Sequence, residues 1–159
     1  MNRAEHIAAL RAAGGATAAA DRLQLAEWTD ACWCKLLDHI RPRPFRASEF
    51  VIQRDAADRA LHIVVAGSLE VGITQVDGVS IFPLAKVGTG SVVGEQSFFD
   101  GQPRSANVWG VADGETLQLE FGDFTRFSQA EPALARDLLF ALGRILSTRL
   151  RNTTFRVRR

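Results

Sequence analysis

A carboxylate and a guanidinium stand nine residues apart in Gly94-Glu95-Gln96-Ser97-Phe98-Phe99-Asp100-Gly101-Gln102-Pro103-Arg104-Ser105-Ala106-Asn107-Val108. Arg104 offers a planar fork of donors that matches two phosphate oxygens, and Glu95 offers an acceptor for a ribose hydroxyl. Ser105 sets a hydroxyl beside the arginine. Together these groups suit a sugar phosphate. The two charges could instead pair with each other and fix the loop without any ligand. Desolvation often cancels the Coulomb gain of such a pair, which favours the ligand reading.

Other chemistry finds less support. In Gly88-Thr89-Gly90-Ser91-Val92-Val93-Gly94 the third glycine falls one position late for a dinucleotide fingerprint, and no Gly-x-x-x-x-Gly-Lys-Ser/Thr loop exists. Cys32 and Cys34 flank Trp33, and on a helix residues two apart face roughly opposite ways. Buried structural thiols are therefore expected and no metal site, because His6, His39 and His62 are scattered. No serine or cysteine has a base that the sequence can place beside it, so the chain reads as a non-enzyme.

At 159 residues, 47% hydrophobic and 23% charged, the chain fits one domain with a real core. No apolar run approaches the ~20 residues of a bilayer span, and Met1 to Ala20 lacks the apolar block of a secretory signal. A soluble, cytoplasmic protein is expected. The net charge is +1, yet Leu142 to Arg159 carries six arginines and no acid. That tail reads as a solvated helix end complementing the helix dipole, or as a weak contact for phosphate.

The elements that must hold the charged pair follow from periodicity. Residues 4 to 20 suit a short helix broken at Gly14-Gly15, and Leu23 to Ile40 has a helical apolar period that Pro42 and Pro44 stop. Short β segments then follow: Phe50 to Ile52, Ala60 to Val65, Leu69 to Ile73 after Gly67, a hairpin turning at Asp77-Gly78, Asn107 to Val111, and Thr116 to Glu120 after a turn at Asp113-Gly114. Phe98 and Phe99 are expected in the core. From Phe121 the chain reads helical, breaks near Pro132, and continues with Leu134, Leu138, Leu142, Ile145 and Leu146 on one face of a long helix. The fold class is mainly β with flanking helices: an antiparallel β-roll or sandwich between N-terminal helices and a long C-terminal helix.

This order, together with the Gly94-Glu95 and Pro103-Arg104-Ser105-Ala106 motifs, resembles the cyclic nucleotide-binding domains of catabolite activators and protein kinase A regulatory subunits. The likeness runs from about Leu25 to Asn152. It divides the chain into an N-terminal helical extension (1–24), the binding domain (25–152) and a basic tail (153–159). The family's fold is a double-stranded β-helix, or jelly-roll-like β-roll. The departures are Gln96, where an aliphatic residue is commoner, Ser48, where glycine is usual, and a missing glycine near Arg54-Asp55.

The resemblance implies cAMP or cGMP as ligand, with no metal. Glu95 would meet the ribose 2′-hydroxyl and Arg104 the cyclic phosphate. Gly94, Gln96, Ser105 and Ala106 would complete the cassette, and Thr148 or Arg149 of the terminal helix would meet the base. It further implies signalling through movement of that helix. From Pro132 to about Arg151 the helix carries more apolar residues than one face buried on a roll requires, so a homodimer is expected, with Leu139, Leu142, Leu146 and Leu150 as its seam. With only six residues after Thr153, no sequence-specific DNA reading is expected. The alternative is a nucleotide-independent scaffold that keeps the fold with a vestigial pocket and docks an unknown protein partner.

Overall fold

Between Arg41 and Leu119 the alternation of β-branched and turn residues gives six strands among the described residues, flanked by helices on both sides. The computed structural model describes residues 1–15, 19–74 and 81–157. In chain order the described elements are α1 (Arg3–Ala13), α2 (Asp30–Leu37), β1 (Arg41–Phe45), β2 (Phe50–Ile52), β3 (Leu61–Thr74), β4 (Ile81–Val87), β5 (Val92–Val93), α3 (Glu95–Asp100), β6 (Asn107–Leu119), α4 (Phe121–Ala130) and α5 (Pro132–Val157). All the ladders between these strands are antiparallel.

The roll is built on β3 and β6, which pair with each other from Leu61↔Leu119 to Gly72↔Asn107. Each long strand has one neighbour on its first half and another on its second: β5 then β4 for β3, and β2 then β1 for β6. This exchange of neighbours turns a flat ladder into a roll. Its corner lies at Gly67 and Gly114. Gly67 has φ 76°, and a Cβ on Gly114 would sit 2.2 Å from the Ala66 carbonyl oxygen. The register shifts between Val64 and Leu69 belong to this bend.

Several expectations need correction here. Gly67 and Asp113-Gly114 read as turns between separate strands, but each lies inside one continuous strand, because a glycine can mark a bend or a close backbone approach as well as a reversal. Pro42 and Pro44 end no helix directly; they lie in β1, which among the described residues pairs with β6 alone and so has an edge that needs no N–H donors. The expected helix from Leu23 to Ile40 is confined to Asp30–Leu37, capped by the Thr29 hydroxyl accepting from the Cys32 N–H. Leu23 and Trp28 are buried from a non-helical strap with turns before and between them, in which the Leu23 N–H donates to the Gly90 carbonyl at 2.8 Å. The Asp77-Gly78 turn lies outside the described residues, but the strands on either side pair from Leu69↔Val87 to Thr74↔Ile81.

Two apolar clusters support the roll. The larger joins α1, α2, α4 and α5 to one side of the sheet, with Ala135, Leu138, Ala141, Leu142 and Ile145 forming the buried face of α5. The smaller lines the inside of the roll with Phe45, Val51, Ile52, Val64, Leu69, Val87, Val93 and Val108. Phe98 is core, whereas Phe99 is 38% exposed, a correction to the expectation for that pair. Cys32 and Cys34 are free and half-buried against the larger cluster rather than fully buried. No helix among the described residues is long and apolar enough to cross a membrane.

Candidate functional site

The inner wall of the smaller cluster, α3 and the far part of α5 enclose a cavity of about 600 Å³. That volume falls within the ~300–1,000 Å³ of small-molecule pockets. Its floor is apolar, with Ile52, Val71, Val93 and Val108, while its polar groups come from the Gly94–Ala106 crossing, from α5, and from Asp21 and Lys86 at the rim. The short β5 runs directly into α3, so the first residues of the crossing are carried on the sheet.

Gly94 makes this approach possible. It has φ 82°, and a Cβ there would meet Arg104 Nη1 at 2.6 Å and the Ala60 carbonyl oxygen at 2.8 Å. Only glycine combines that conformation with that closeness.

Arg104 is 2% exposed and still charged, so its donors must be satisfied. Its Nε donates to Asp58 Oδ1 at 3.2 Å and Nη2 donates to Asp58 Oδ2. Nη2 also donates to the Ala60 carbonyl at 2.7 Å, and Nη1 to the Gly94 carbonyl at 3.1 Å. The loop before β3 grips the same residue by its backbone: Arg104 N–H donates to Ala56 O, and Asp55 N–H donates to Arg104 O, both at 2.9 Å. Asp55 adopts φ 67° in that loop and Ser48 the same φ in the preceding one, so non-glycine residues hold both left-handed positions where the sequence departs from the family pattern. Hydrogen bonding from Arg104 holds the Asp58 carboxyl below its ordinary range, against the opposing effect of burial.

Glu95 and Arg104 do not pair with each other. Glu95, 7% exposed, instead accepts from Arg149 Nη1 at 2.5 Å, and Arg149 Nη2 donates to the Val92 carbonyl at 2.8 Å. One guanidinium on α5 is thereby tied to the first residue of β5 and the first residue of α3. Ser105 donates its hydroxyl to Gln96 Oε1 at 2.5 Å, which gives the unusual Gln96 a local partner across the crossing.

The cavity brings together Gly94, Glu95, Gln96, Arg104, Ser105, Ala106 and Arg149 of the sequence-derived set. Thr148 does not line it. Arg149, Asn152 and Thr153 do, because residues three and four apart share a helix face whereas a residue one position away is turned by about 100°. The sequence reading missed Asn152, Thr153, Lys86, Asp21 and Asp58. Helical spacing from Arg149 was a signal for the first two, but nothing local marked Asp58 as the partner of a residue 46 positions later. No group of metal-ligating side chains occurs among the described residues.

A β-roll with a buried arginine at the inner end of a glycine-opened cavity, closed by a terminal helix, defines a class of small-ligand receptor domain. The cyclic nucleotide-binding domain family matches residues 42–131, more than half of the sequence, and the chain belongs to that family. Among solved structures it is similar to a cyclic nucleotide-binding domain from Methylobacillus flagellatus KT, with 19% identity over 98% of this chain and 82% of that one and a TM-score of 0.79. It is also similar to the catabolite activator protein of Thermus thermophilus, with 25% identity over 81% of this chain and a TM-score of 0.70, and spans 58% of that protein. The cAMP-bound regulatory domain of Toxoplasma gondii protein kinase A aligns at 19% identity over 79% of this chain and 44% of that one, with a TM-score of 0.62. Comparison with curated proteins returns no match.

Proposed function

We propose that this protein is a regulatory, non-enzymatic sensor of cAMP or cGMP whose cavity takes the cyclic phosphate at Arg104, the ribose at Glu95 and the base toward α5. The carrying observation is the buried Arg104 fork, whose bidentate partner is the half-exposed Asp58 carboxylate. A carboxylate and a phosphate present the same pair of acceptor oxygens to a guanidinium. A cyclic phosphate therefore competes with Asp58 for this fork. Ser105 and the Gly94 backbone complete the cradle, and a ribose hydroxyl donates to Glu95.

Signalling follows from where Arg149 sits. It holds Glu95 and the Val92 carbonyl from α5, so a ribose that claims Glu95 alters the tie that seats α5. Asn152 and Thr153, one turn further, line the same cavity and offer hydrogen-bonding groups to a base lying toward α5. The difference in ligand affinity between seated and released helix is the free energy available to the signal.

A homodimer through α5 belongs to the same proposal. Its seam cannot use Leu142, which is fully buried in the chain's own core; the apolar residues offered outward are Leu139, Phe140 and Leu150. The internal pairing of both site arginines is also what a nucleotide-independent scaffold would retain, and titration decides between the two. Calorimetry of the parent protein with cAMP and with cGMP should show saturable one-site binding. Arg104→Ala should weaken it by at least ten- to a hundredfold, as expected for a charge-assisted bidentate contact of ~1.5–3 kcal/mol. Absence of heat with either nucleotide would favour the scaffold.

A further inference from the structure

The loop that carries Asp58 reaches in two directions. Asp58 and Ala60 both hold the Arg104 guanidinium, one by its carboxylate and the other by its carbonyl. Between them, Arg59 sends its guanidinium to different elements. Its Nε donates to the Ser97 and Phe98 carbonyls at 3.2 and 3.0 Å, and Nη2 donates to the Phe99 carbonyl at 3.1 Å. The Phe98 and Phe99 carbonyls belong to the last turn of α3, where carbonyls lack intrahelical donors, and the Ser97 carbonyl, which also accepts from the Gly101 N–H at 2.9 Å, is shared between that cap and Arg59. The Arg59 Cζ also lies 3.5 Å from the centroid of the Phe121 ring, at the first residue of α4. That ring packs at 5.5 Å centroid separation on Phe98, which in turn packs at 5.4 Å on Phe124 of α4.

We infer that Arg59 is a positioning residue that couples the Asp58–Arg104 pair to the seat of α4. Arg59 does not line the cavity, so it exerts this effect through its neighbours. When Asp58 gives up Arg104, the residue that moves with it clamps the end of α3 and the start of α4. α4 leads directly into α5, so a change at the phosphate end reaches the terminal helices by this route as well as through Arg149. The three carbonyls and one ring face require the planar, multiply donating guanidinium; lysine can keep the charge over the ring and one hydrogen bond, but not the fork. The inference rests on the reading of Arg104 as the phosphate site, but the coupling itself can be measured without a ligand.

The test is a double-mutant cycle of Asp58→Asn and Arg59→Gln, followed by hydrogen exchange across Phe121–Ala130, with Arg59→Lys as the conservative control. Asp58→Asn alone should speed exchange at the start of α4 by about threefold, and that response should fall by at least half when Arg59→Gln is also present. Arg59→Lys should retain part of it. A response to Asp58→Asn of equal size with and without Arg59→Gln, or none in either background, overturns the coupling. In the ligand arm, saturating cAMP or cGMP should shift exchange at the start of α4 in the parent in the same direction as Asp58→Asn and do so much less in Arg59→Gln, with affinity at Arg104 reduced by no more than about tenfold. An unchanged ligand effect in Arg59→Gln also overturns it. Failure of the parent to bind either nucleotide rejects the ligand reading alone, since the ligand-free cycle still decides the role of Arg59.

Discussion

Replacing Asp58 with asparagine should strengthen nucleotide binding while weakening the fold, two effects of opposite sign from one atom change. Arg104 has a side chain only 1% exposed, whereas Asp58 is 51% exposed. The pair thus lies between a surface ion pair, worth ~0–1 kcal/mol, and a fully buried one, whose disruption costs ~3–5 kcal/mol. Asparagine keeps one oxygen to accept from the guanidinium, and solvent screens the exposed half of the pair, so the loss should be about 1 kcal/mol. In a chain of this size that lowers the melting temperature by roughly 2–4 °C. The ligand no longer has to displace a carboxylate from the fork, and the same ~1 kcal/mol returns as an affinity gain of about fivefold. The assay is calorimetric titration of parent and Asp58→Asn with cAMP and cGMP at 0.15 M salt, with thermal melts of both proteins with and without ligand. Affinity that stays the same or falls in Asp58→Asn would refute competition between carboxylate and phosphate for Arg104.

Other outcomes follow from single residues. Burial, followed by the Arg43 and Arg104 charges, pushes His62 down to about 3 from its ordinary 6.5, so between those pH values the unfolded chain binds the proton and the folded chain does not. Stability should thus be full above about pH 6.5 and decline as pH falls toward 3, by on the order of 5 kcal/mol in total; denaturant melts of parent and His62→Gln across this window check it, the variant showing a shallower slope. Arg149→Ala frees the buried Glu95 and the Val92 carbonyl, and should lower nucleotide affinity by roughly three- to tenfold while exposing the end of α5 to trypsin regardless of ligand. Gly114→Ala forces a Cβ to 2.2 Å from Ala66 O and should cost upward of ~2 kcal/mol, read by denaturant melting. Phe140→Asp, at a residue 72% exposed, should reduce the sedimentation mass from dimer to monomer with little change in melting temperature.

The parts legible in the sequence were those whose physics is local. Glu95 and Arg104 announced themselves because donor fork, acceptor and bounding glycines all lie within one crossing. The apolar face of α5 was legible because helical spacing alone defines it. What was hidden depends on pairing across the chain. Whether Gly67 and Gly114 are turns or the two sides of one bend is decided by β3 lying against β6, and the prolines of β1 are tolerated only because one edge of that strand is free. Leu23 and Trp28 have helical spacing by coincidence; their burial comes from a strap anchored on Gly90. Asp58 carried no local signal, since an acid in a polar loop is ordinary until Arg104 is folded against it. At the terminal helix the error was one of phase: Thr148 adjoins Arg149 in sequence, but Asn152 and Thr153 adjoin it in space.

The central claim is that Arg104 exchanges an internal carboxylate for the phosphate of a cyclic nucleotide. A crystal structure of the protein grown with cAMP or cGMP tests it most directly. The account requires the cyclic phosphate within hydrogen-bonding distance of the Arg104 guanidinium, a ribose hydroxyl on Glu95, and Asp58 turned away from Nε and Nη2. A nucleotide bound elsewhere, or an Asp58–Arg104 pair left intact at saturating nucleotide, would contradict it.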